Sequence, residues 1–367
     1  MHDNYIYYGT KTSPIEVERF IDHMIDVNQE LQQVNKLGTP LCIWGKHGIG
    51  KTQLVEAIAN KKDFEFISVS PAQFEEMGDL LGMPKIIDDQ TVFAPPSWVP
   101  TSEVDGILLI DDINRADDRI LRGIMQLLQN HELISWKLPK KWHIIATANP
   151  DGGDYSVTPM DNAILTRMMH ITLSFNHKDW AMWAEENGVD SRGIDFVLTY
   201  PEIVDGERTT PRTLVQFFES ISLIKDLKSE LPLVQLMADA CLDPETTATF
   251  IAFVKDDLAE LISAKEIVGA EDFAKNVSNP LKKVVKKGSL RVDILATLCT
   301  RLVNYLTVNQ IKPSKYQLDN IKKFLLIDFI PNDLRLITAQ EIIDSKNKHL
   351  KVIMSDAKIA MLLLEKM

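Results

Sequence analysis

The segment "PLCIWGKHGIGKTQLVEAIAN", residues 40–60, decides the fold of this chain. It opens with a short apolar run that is typical of a buried strand, and it closes with the apolar spacing of a helix. Between them lies "GKHGIGKT", residues 45–52, which matches the pattern GxxxxGKT. A strand, this loop and then a helix are the context in which the pattern binds phosphate.

The glycines of this loop allow the backbone to bend tightly and to turn its N–H groups inward, where they and the positive helix end cradle a phosphate chain. Lys51 would reach the β and γ phosphates, and the Thr52 hydroxyl would bind Mg²⁺. The alternative is a glycine turn that binds nothing. The candidate nucleotide-binding residues are Gly45, His47, Gly48, Ile49, Gly50, Lys51, Thr52 and Gln53. His47 occupies a variable position of the loop, so we expect its side chain to face solvent.

A second stretch, "ILLIDDINRA" at residues 107–116, ends an apolar run with two adjacent acids. Two neighbouring carboxylates repel each other, so a cation or a water to be activated would explain the pair. Asp111 is predicted to bind the Mg²⁺ held by Thr52, through water. Asp112 is predicted to face the γ-phosphate and to polarise the attacking water. The alternative is that these acids only cap the next helix.

Alternating strands and helices surround these two motifs and predict an α/β fold with a mostly parallel sheet wrapped by helices. Ligands of such sheets bind at the carboxyl ends of the strands, where the acid pair lies. The predicted strands cover residues 40–45, 64–70, 106–112, 142–149 and 168–175, and the predicted helices of this part cover 14–37, 52–60 and 117–130. Residues after 176 are mainly helical in pattern. The predicted segments are 1–37, 38–176, 177–300 and 301–367.

The composition sets limits on the class of protein. The chain has 367 residues, a net charge of −12 and three widely separated cysteines. An acidic chain argues against broad, salt-driven binding to nucleic acid. The cysteine pattern favours a reducing compartment and neither a disulfide framework nor a zinc cluster. Because no membrane span or secretory signal is readable, we expect a cytoplasmic protein.

With these motifs in order, residues 36–220 resemble the AAA+ ATPases, and among them the MoxR group. "LLIDDINRA" looks like that group's Walker B segment, and "IIATANP" looks like its sensor 1 strand, with Asn149 as the polar residue. "MDNAILTRM" resembles the stretch that carries an arginine finger, which would be Arg167. "TTPRTL" resembles the sensor 2 motif, which would be Arg212.

The resemblance implies a P-loop sheet of five parallel strands in the order 5-1-4-3-2, followed by an all-helical lid and a C-terminal helical region. It implies the cofactors ATP and Mg²⁺, bound between the subunits of a homo-oligomeric ring, commonly a hexamer. Asn149 would help to orient the water, Arg212 would read the γ-phosphate in its own subunit, and Arg167 would reach the neighbouring subunit. Two further stretches resemble inserts of this branch, 71–98 and a hairpin at 132–142, although either could be a plain surface loop.

Two positions depart from the family pattern or leave a choice open. Asp112 stands where glutamate is usual, and its shorter side chain predicts slow but real hydrolysis. Arg115 is a second candidate for a contact to a neighbouring subunit, and a surface residue at a helix start is an equally good interpretation.

The leading functional hypothesis is a chaperone-like ATPase that remodels or matures a partner protein. Relatives in the MoxR group often act beside a protein with a von Willebrand factor A domain, and such a partner would here be a separate chain. The alternatives are a nucleic-acid motor or loader, which the acidic balance disfavours, and a slowly hydrolysing scaffold switched by nucleotide.

Overall fold

The computed structural model describes residues 5–152, 157–256, 258, 261–285, 290–308, 312–345 and 347–364. The chain divides into two compact units, Met1–Asn176 and His177–Met367. Among the described residues, no helix combines the length and the apolar character needed to cross a membrane.

The first unit contains a six-stranded sheet and a separate two-stranded hairpin. Its strands are β1 (Lys11–Thr12), β2 (Leu41–Trp44), β3 (Glu65–Val69), β4 (Met83–Ile87), β5 (Gln90–Ala94), β6 (Gly106–Ile110), β7 (Trp142–Ala148) and β8 (Met169–Leu173). The large sheet has the order β1-β8-β2-β7-β6-β3, and every neighbouring pair is parallel.

The prediction of a five-stranded sheet is wrong, because the sheet has six strands. The additional strand, β1, pairs with β8 through Lys11 opposite Thr172 and Thr12 opposite Leu173. A strand of two residues is too short to show a hydrophobic alternation, so sequence patterns do not reveal it. The five predicted strands lie in the order β8-β2-β7-β6-β3, and β1 extends the sheet beyond β8.

Helices cover both faces of the sheet. In this unit they are α1 (Pro14–Gln33), α2 (Lys51–Lys62), α3 (Met77–Leu81), α4 (Asp118–Asn130) and α5 (Asn162–Leu165). The predicted helix 14–37 ends earlier, at Gln33, and Asn35 just beyond it has a φ of 56°, which a helix cannot continue.

Successive residues of the central strands β2 and β6 belong to two different apolar clusters. Leu41 and Ile43 of β2 pack in one cluster with residues of α1 and α2. Cys42 and Trp44, which alternate with them, pack in the other cluster with residues of α4. Alternate side chains of a strand point to opposite faces, so a strand covered on both sides must be apolar throughout. This is why β2 and β6 are continuous apolar runs and could be recognised as buried strands.

The predicted insert at residues 71–98 contains α3 and an antiparallel hairpin of β4 and β5. Asp88 and Asp89 form its two-residue turn with φ values of 50° and 60°, a conformation that aspartate tolerates. The second predicted insert, 132–142, forms a tight turn in which Glu132 and Lys137 make an antiparallel bridge.

The second unit is helical in its described secondary structure, around a core of phenylalanines. The rings of Phe196 and Phe250 lie 4.9 Å apart between centroids, and those of Phe217 and Phe250 lie 4.8 Å apart. Its α-helices are α6 (His177–Glu186), α7 (Ser191–Thr199), α8 (Pro211–Ile221), α9 (Leu231–Cys241), α10 (Pro244–Lys255), α11 (Ala264–Gly269), α12 (Asn279–Val285), α13 (Val292–Val308), α14 (Lys315–Leu325), α15 (Asn332–Asp344) and α16 (Ala357–Leu364). A π-helical turn, Ala274–Ser278, leads into α12.

Candidate nucleotide site

The glycine-rich loop lies between the end of β2 and the start of α2. Gly48 and Gly50 have φ values of 70° and 99°, which only glycine adopts without strain. Gly50 is the N-cap of α2, and Lys51 is the first helical residue. The first-turn N–H groups of a helix have no intrahelical partner, so this end of α2 can bind an anion.

Lys51 is buried, with 6% of its surface exposed, and its ammonium group is held inside the loop. Its Nζ donates to the main-chain oxygens of Gly45 at 2.8 Å and Lys46 at 3.2 Å, and to Oδ1 of Asn149 at 3.0 Å. A buried ammonium group must be satisfied by hydrogen-bond acceptors. Phosphate oxygens are charged acceptors that form stronger hydrogen bonds than these neutral oxygens, so a phosphate chain in the loop would compete for Lys51.

Thr52 and Asp111 bring α2 and β6 together. Oγ1 of Thr52 donates to Oδ1 of Asp111 at 2.8 Å, and Oγ1 of Thr147 donates to the same oxygen at 2.6 Å. Mg²⁺ prefers oxygen ligands and is usually held by one or two carboxylates together with substrate phosphates and waters. The Thr52 hydroxyl and the Asp111 carboxylate are therefore suitable protein ligands for Mg²⁺.

Asp112 has a left-handed backbone, with φ 50° and ψ 49°. Its N–H donates to Oγ1 of Thr147 at 2.8 Å, and its Oδ2 lies 3.2 Å from Nε of Arg115. Its side chain does not cap the 3₁₀ turn Ile113–Arg115 that follows, and Asp117 caps α4 by accepting from the N–H of Ile120 at 2.9 Å. The simple interpretation of the acid pair as a cap of α4 is therefore wrong.

Asn149 follows directly after β7 and is fully buried. Its Oδ1 accepts from Lys51, and its Nδ2 has no hydrogen-bond partner among the described residues. Its main chain is paired with the side chain of Asn114, whose Nδ2 donates to the Asn149 oxygen at 2.8 Å and whose Oδ1 accepts from the Asn149 N–H at 3.1 Å.

Arg167 lies just after α5 and is half-buried. Its Nε and Nη2 donate to Oε1 of Gln129 at 3.0 and 2.8 Å, and its Nη1 donates to the main-chain oxygen of Ala163. The predicted arginine finger is thus bound to the end of α4 in its own chain.

The remaining predicted residues differ in position. His47 is exposed, as expected, and Gln53 is exposed on the first turn of α2. Ile49 packs against the apolar cluster beneath the loop. Arg212 is the second residue of α8 in the second unit and is exposed. Its role as sensor 2 stays a prediction.

Sequence patterns missed Asn114, Thr147 and Gln129. Asn114 stands inside the quoted segment 107–116, and Thr147 stands two residues before Asn149, so their proximity to the motifs was the only signal. Nothing in the sequence distinguishes Gln129 from the other polar residues of α4. Their contacts span 35 to 38 residues and become visible only in the folded chain.

Comparison with known proteins finds a family model that matches the part of the chain holding this candidate site. Residues 40–168 match the family model of the AAA domain (dynein-related subfamily). Midasin from Giardia intestinalis is 21% identical over 169 residues, which cover 43% of this chain and 4% of midasin. The replication factor C large subunit from Ignicoccus hospitalis is 23% identical over 163 residues, which cover 42% of this chain and 31% of that protein. This chain thus spans less than a third of the length of either relative.

Among solved structures, the Thermotoga maritima RuvB Holliday junction branch migration motor is similar, with a TM-score of 0.36 and 12% identity. The alignment covers 76% of this chain and 86% of RuvB. The loop 45–52 and the strands β2, β6 and β7 of the parallel sheet lie within the residues that match this AAA domain model.

Proposed function

We propose that this chain, with its AAA domain, is an ATPase that couples ATP hydrolysis to the remodelling of a partner protein. One observation carries the proposal. Lys51 and Thr52, neighbours on the first turn of α2, contact Asn149 after β7 and Asp111 after β6, respectively. A loop that is only a structural turn does not require a buried lysine, a magnesium-type oxygen pair and a buried amide to converge on it.

Binding follows from the P-loop. Its N–H groups and the start of α2 receive the phosphate chain, and Lys51 moves its donors from Gly45 and Lys46 to the β and γ phosphates. Thr52 and Asp111 would hold Mg²⁺, which would neutralise negative charge on the bound phosphates. Thr147 keeps the Asp111 carboxylate in place through its own hydroxyl.

Hydrolysis requires a water in line with the γ-phosphate. In the proposed reaction the water oxygen forms a bond to the γ-phosphorus while the bond to the β–γ bridging oxygen breaks, and ADP and phosphate result. Asp112 accepts a hydrogen bond from the water and takes its proton. Nδ2 of Asn149 supplies a donor beside Lys51 that orients the water. Since aspartate is one methylene shorter than the usual glutamate, we expect slow turnover.

Assembly is the next part of the proposal. A half-buried arginine after α5 is suited to reach a phosphate of a neighbouring subunit, where its planar fork can bind two oxygens. We therefore infer a homo-oligomeric ring, commonly a hexamer in MoxR-like AAA+ proteins, with Arg167 acting in trans and Arg212 reading the γ-phosphate in cis. Arginine fingers contribute on the order of 10³-fold or more in rate, so activity would depend on assembly.

The partner is proposed to be a separate protein, with a von Willebrand factor A domain as one candidate. The MoxR-like motifs in residues 71–98 and 107–116 support the proposal of a separate partner protein. The hairpin of β4 and β5 exposes Met83, Ile86 and Ile87, with 70%, 80% and 52% of their surfaces accessible. Exposed apolar residues grouped on one hairpin suit contact with another protein.

The test uses Asp112→Asn with Asp118→Asn as its matched control, because Asp118 is an exposed acid at the start of α4. We expect Asp112→Asn to abolish ATP turnover and to keep the calorimetric Kd for ATP close to that of the parent. Asp118→Asn should change neither. An unchanged rate for Asp112→Asn would remove Asp112 from the mechanism. Affinity purification of the Asp112→Asn protein with ATP should then trap the partner.

A nucleic-acid motor or loader is the second candidate, and the similarity to a replication factor C subunit favours it. The net charge of −12 disfavours it, since counterion release requires basic contacts. Stimulation of the ATPase by DNA or RNA at physiological salt would support this candidate. Single-turnover kinetics would identify the third candidate, a scaffold in which nucleotide acts as a slow switch.

A further inference from the structure

Asn149 lies one residue beyond the end of the sheet. The last main-chain contact beside it is the bond from the Gly45 N–H to the Ala148 oxygen, at 3.2 Å. The carboxamide of Asn114 continues the pattern by one residue, because it donates to the Asn149 oxygen at 2.8 Å and accepts from the Asn149 N–H at 3.1 Å. A side chain thus takes the place that a neighbouring strand would occupy.

Asn114 is itself well fixed. Only 2% of its surface is exposed, and it lies in the 3₁₀ turn that follows the acid pair. Its main-chain oxygen accepts from the Thr158 N–H at 2.7 Å, and the Thr158 hydroxyl donates to the Ala116 oxygen at 2.8 Å. These contacts involve the main chain, so a substitution of the Asn114 side chain leaves them in place.

The side chain of Asn149 is what this arrangement orients. Its Oδ1 accepts from Lys51 at 3.0 Å, and its fully buried Nδ2 is without a partner among the described residues. A buried donor without a partner is unfavourable, so the site favours a ligand or water that accepts from it. The direction of this donor depends on the Asn149 main chain, and Asn114 fixes that main chain by bonding to both its N–H and its oxygen.

We propose that Asn114 is a positioning residue for ATP hydrolysis, acting through Asn149 and not touching the substrate. This inference rests on the proposed ATPase function. Loss of the Asn114 carboxamide frees the Asn149 main chain and lets its Nδ2 drift from the water. Because the P-loop, Thr52 and Asp111 are untouched, ATP binds as before and the chemical step slows.

The experiment is a double-mutant cycle with Asn114→Ala, Asn149→Ala and the double variant. Small misplacements of catalytic groups cost up to about 100-fold, so we expect Asn114→Ala to lower kcat by at least about tenfold. The Kd for ATP should stay within about threefold of the parent, since binding does not use Asn149's orientation. In the Asn149→Ala background, Asn114→Ala should lower kcat by less than about twofold, because residues that act through one another are not additive.

Asn320 provides the matched control. It is a buried asparagine of α14 whose Nδ2 donates to the main-chain oxygens of Val268 and Ala270, at 3.0 and 2.9 Å. Asn114→Ala and Asn320→Ala each remove a buried carboxamide, so both should lower the melting temperature. Only Asn114→Ala should lower kcat. Hydrogen exchange gives a readout that does not need activity, and the amide of Asn149 should exchange faster in Asn114→Ala.

If Asn114→Ala does not fold, Asn114→Asp keeps the size of the side chain and its acceptor but sets an oxygen against the Asn149 oxygen. It should show the same loss of kcat. Additive losses in the double variant, or unchanged Asn149 exchange, would overturn the inference and leave the ATPase proposal standing. If Asn149→Ala itself keeps full turnover, both the inference and the proposed role of Asn149 are wrong.

Discussion

The Thr52 hydroxyl donates a hydrogen bond of 2.8 Å to the Asp111 carboxylate, across 59 residues of sequence. This contact joins the first turn of α2 to the end of β6. The same carboxylate oxygen accepts from Thr147 of β7 at 2.6 Å, so three elements meet at one atom. The carboxyl ends of adjacent parallel strands lie along one edge of the sheet, which is why the groups converge.

The first prediction concerns Mg²⁺ at this oxygen. Asp111→Asn removes the carboxylate charge but keeps its size, so the Kd for Mg-ATP should rise by about tenfold or more. The Kd for ATP measured with a chelator should change little, because the P-loop is intact. Calorimetry with and without Mg²⁺ measures both values. An equal loss under the two conditions would mean that Asp111 acts on the loop and not on the metal.

The second prediction concerns the length of the side chain at position 112. The left-handed backbone there favours aspartate over glutamate, so Asp112→Glu should lower the free energy of unfolding by about 1 kcal/mol. The longer carboxylate should reach the water better and raise kcat several-fold. Steady-state turnover and urea unfolding of the same sample measure the two effects. A slower Asp112→Glu enzyme would show that reach does not limit hydrolysis.

The third prediction tests whether Arg167 acts on a neighbouring subunit. Arg167→Ala and Asp112→Asn should each be inactive alone, but a mixture should recover turnover, because an Arg167→Ala subunit can receive the arginine of an Asp112→Asn neighbour. Arg122→Ala serves as control, since Arg122 is an exposed arginine of α4 that pairs with Asp118. A mixture no more active than its components would exclude the trans assignment.

The fourth prediction concerns Gln129, which binds Nε and Nη2 of Arg167. Gln129→Glu would replace a neutral acceptor by a charged one and hold the guanidinium more strongly on α4. We expect lower turnover of the assembled protein with an unchanged Kd for ATP. Gln126→Glu, at an exposed position of the same helix, is the matched control. If both variants keep full turnover, Gln129 does not influence the arginine.

The fifth prediction concerns the pH dependence of stability. Burial lowers the pKa of His143 to about 4, from the ordinary value of 6.5. As the pH falls below 6.5, the unfolded chain binds a proton that the folded chain binds only near pH 4, so the folded state loses stability over this window. Between pH 7 and pH 5 the contribution is about 2 kcal/mol.

His143→Phe should remove that part of the pH dependence, and the new ring can stack on Phe64, whose centroid lies 6.1 Å from that of His143. Urea unfolding at pH 7 and pH 5 measures the difference. His23→Gln, at an exposed position of α1, should keep the parent's pH dependence. Equal pH dependence in His143→Phe and the parent would contradict the prediction.

The P-loop was readable from sequence because its chemistry is local. Gly48, Gly50, Lys51 and Thr52 lie within five consecutive residues: the glycines shape the backbone of the turn, and Lys51 and Thr52 present their side chains from the first turn of α2. The continuous apolar runs of β2 and β6 identified buried parallel strands for a similar reason, since both faces of those strands are covered. Strand β1 was not predicted, because a strand of two residues is too short to show a periodic pattern.

The sequence by itself determined that this chain has a phosphate-binding loop, a parallel sheet and an acid pair at the end of one strand. Only the tertiary structure decided that Thr147 shares the Asp111 carboxylate with Thr52, and that Asn114 holds the main chain of Asn149. The physical reason is distance along the chain. Backbone conformations and hydrophobic periodicity are encoded by neighbouring residues, whereas hydrogen bonds between strand ends depend on how separate elements pack, which no local pattern records.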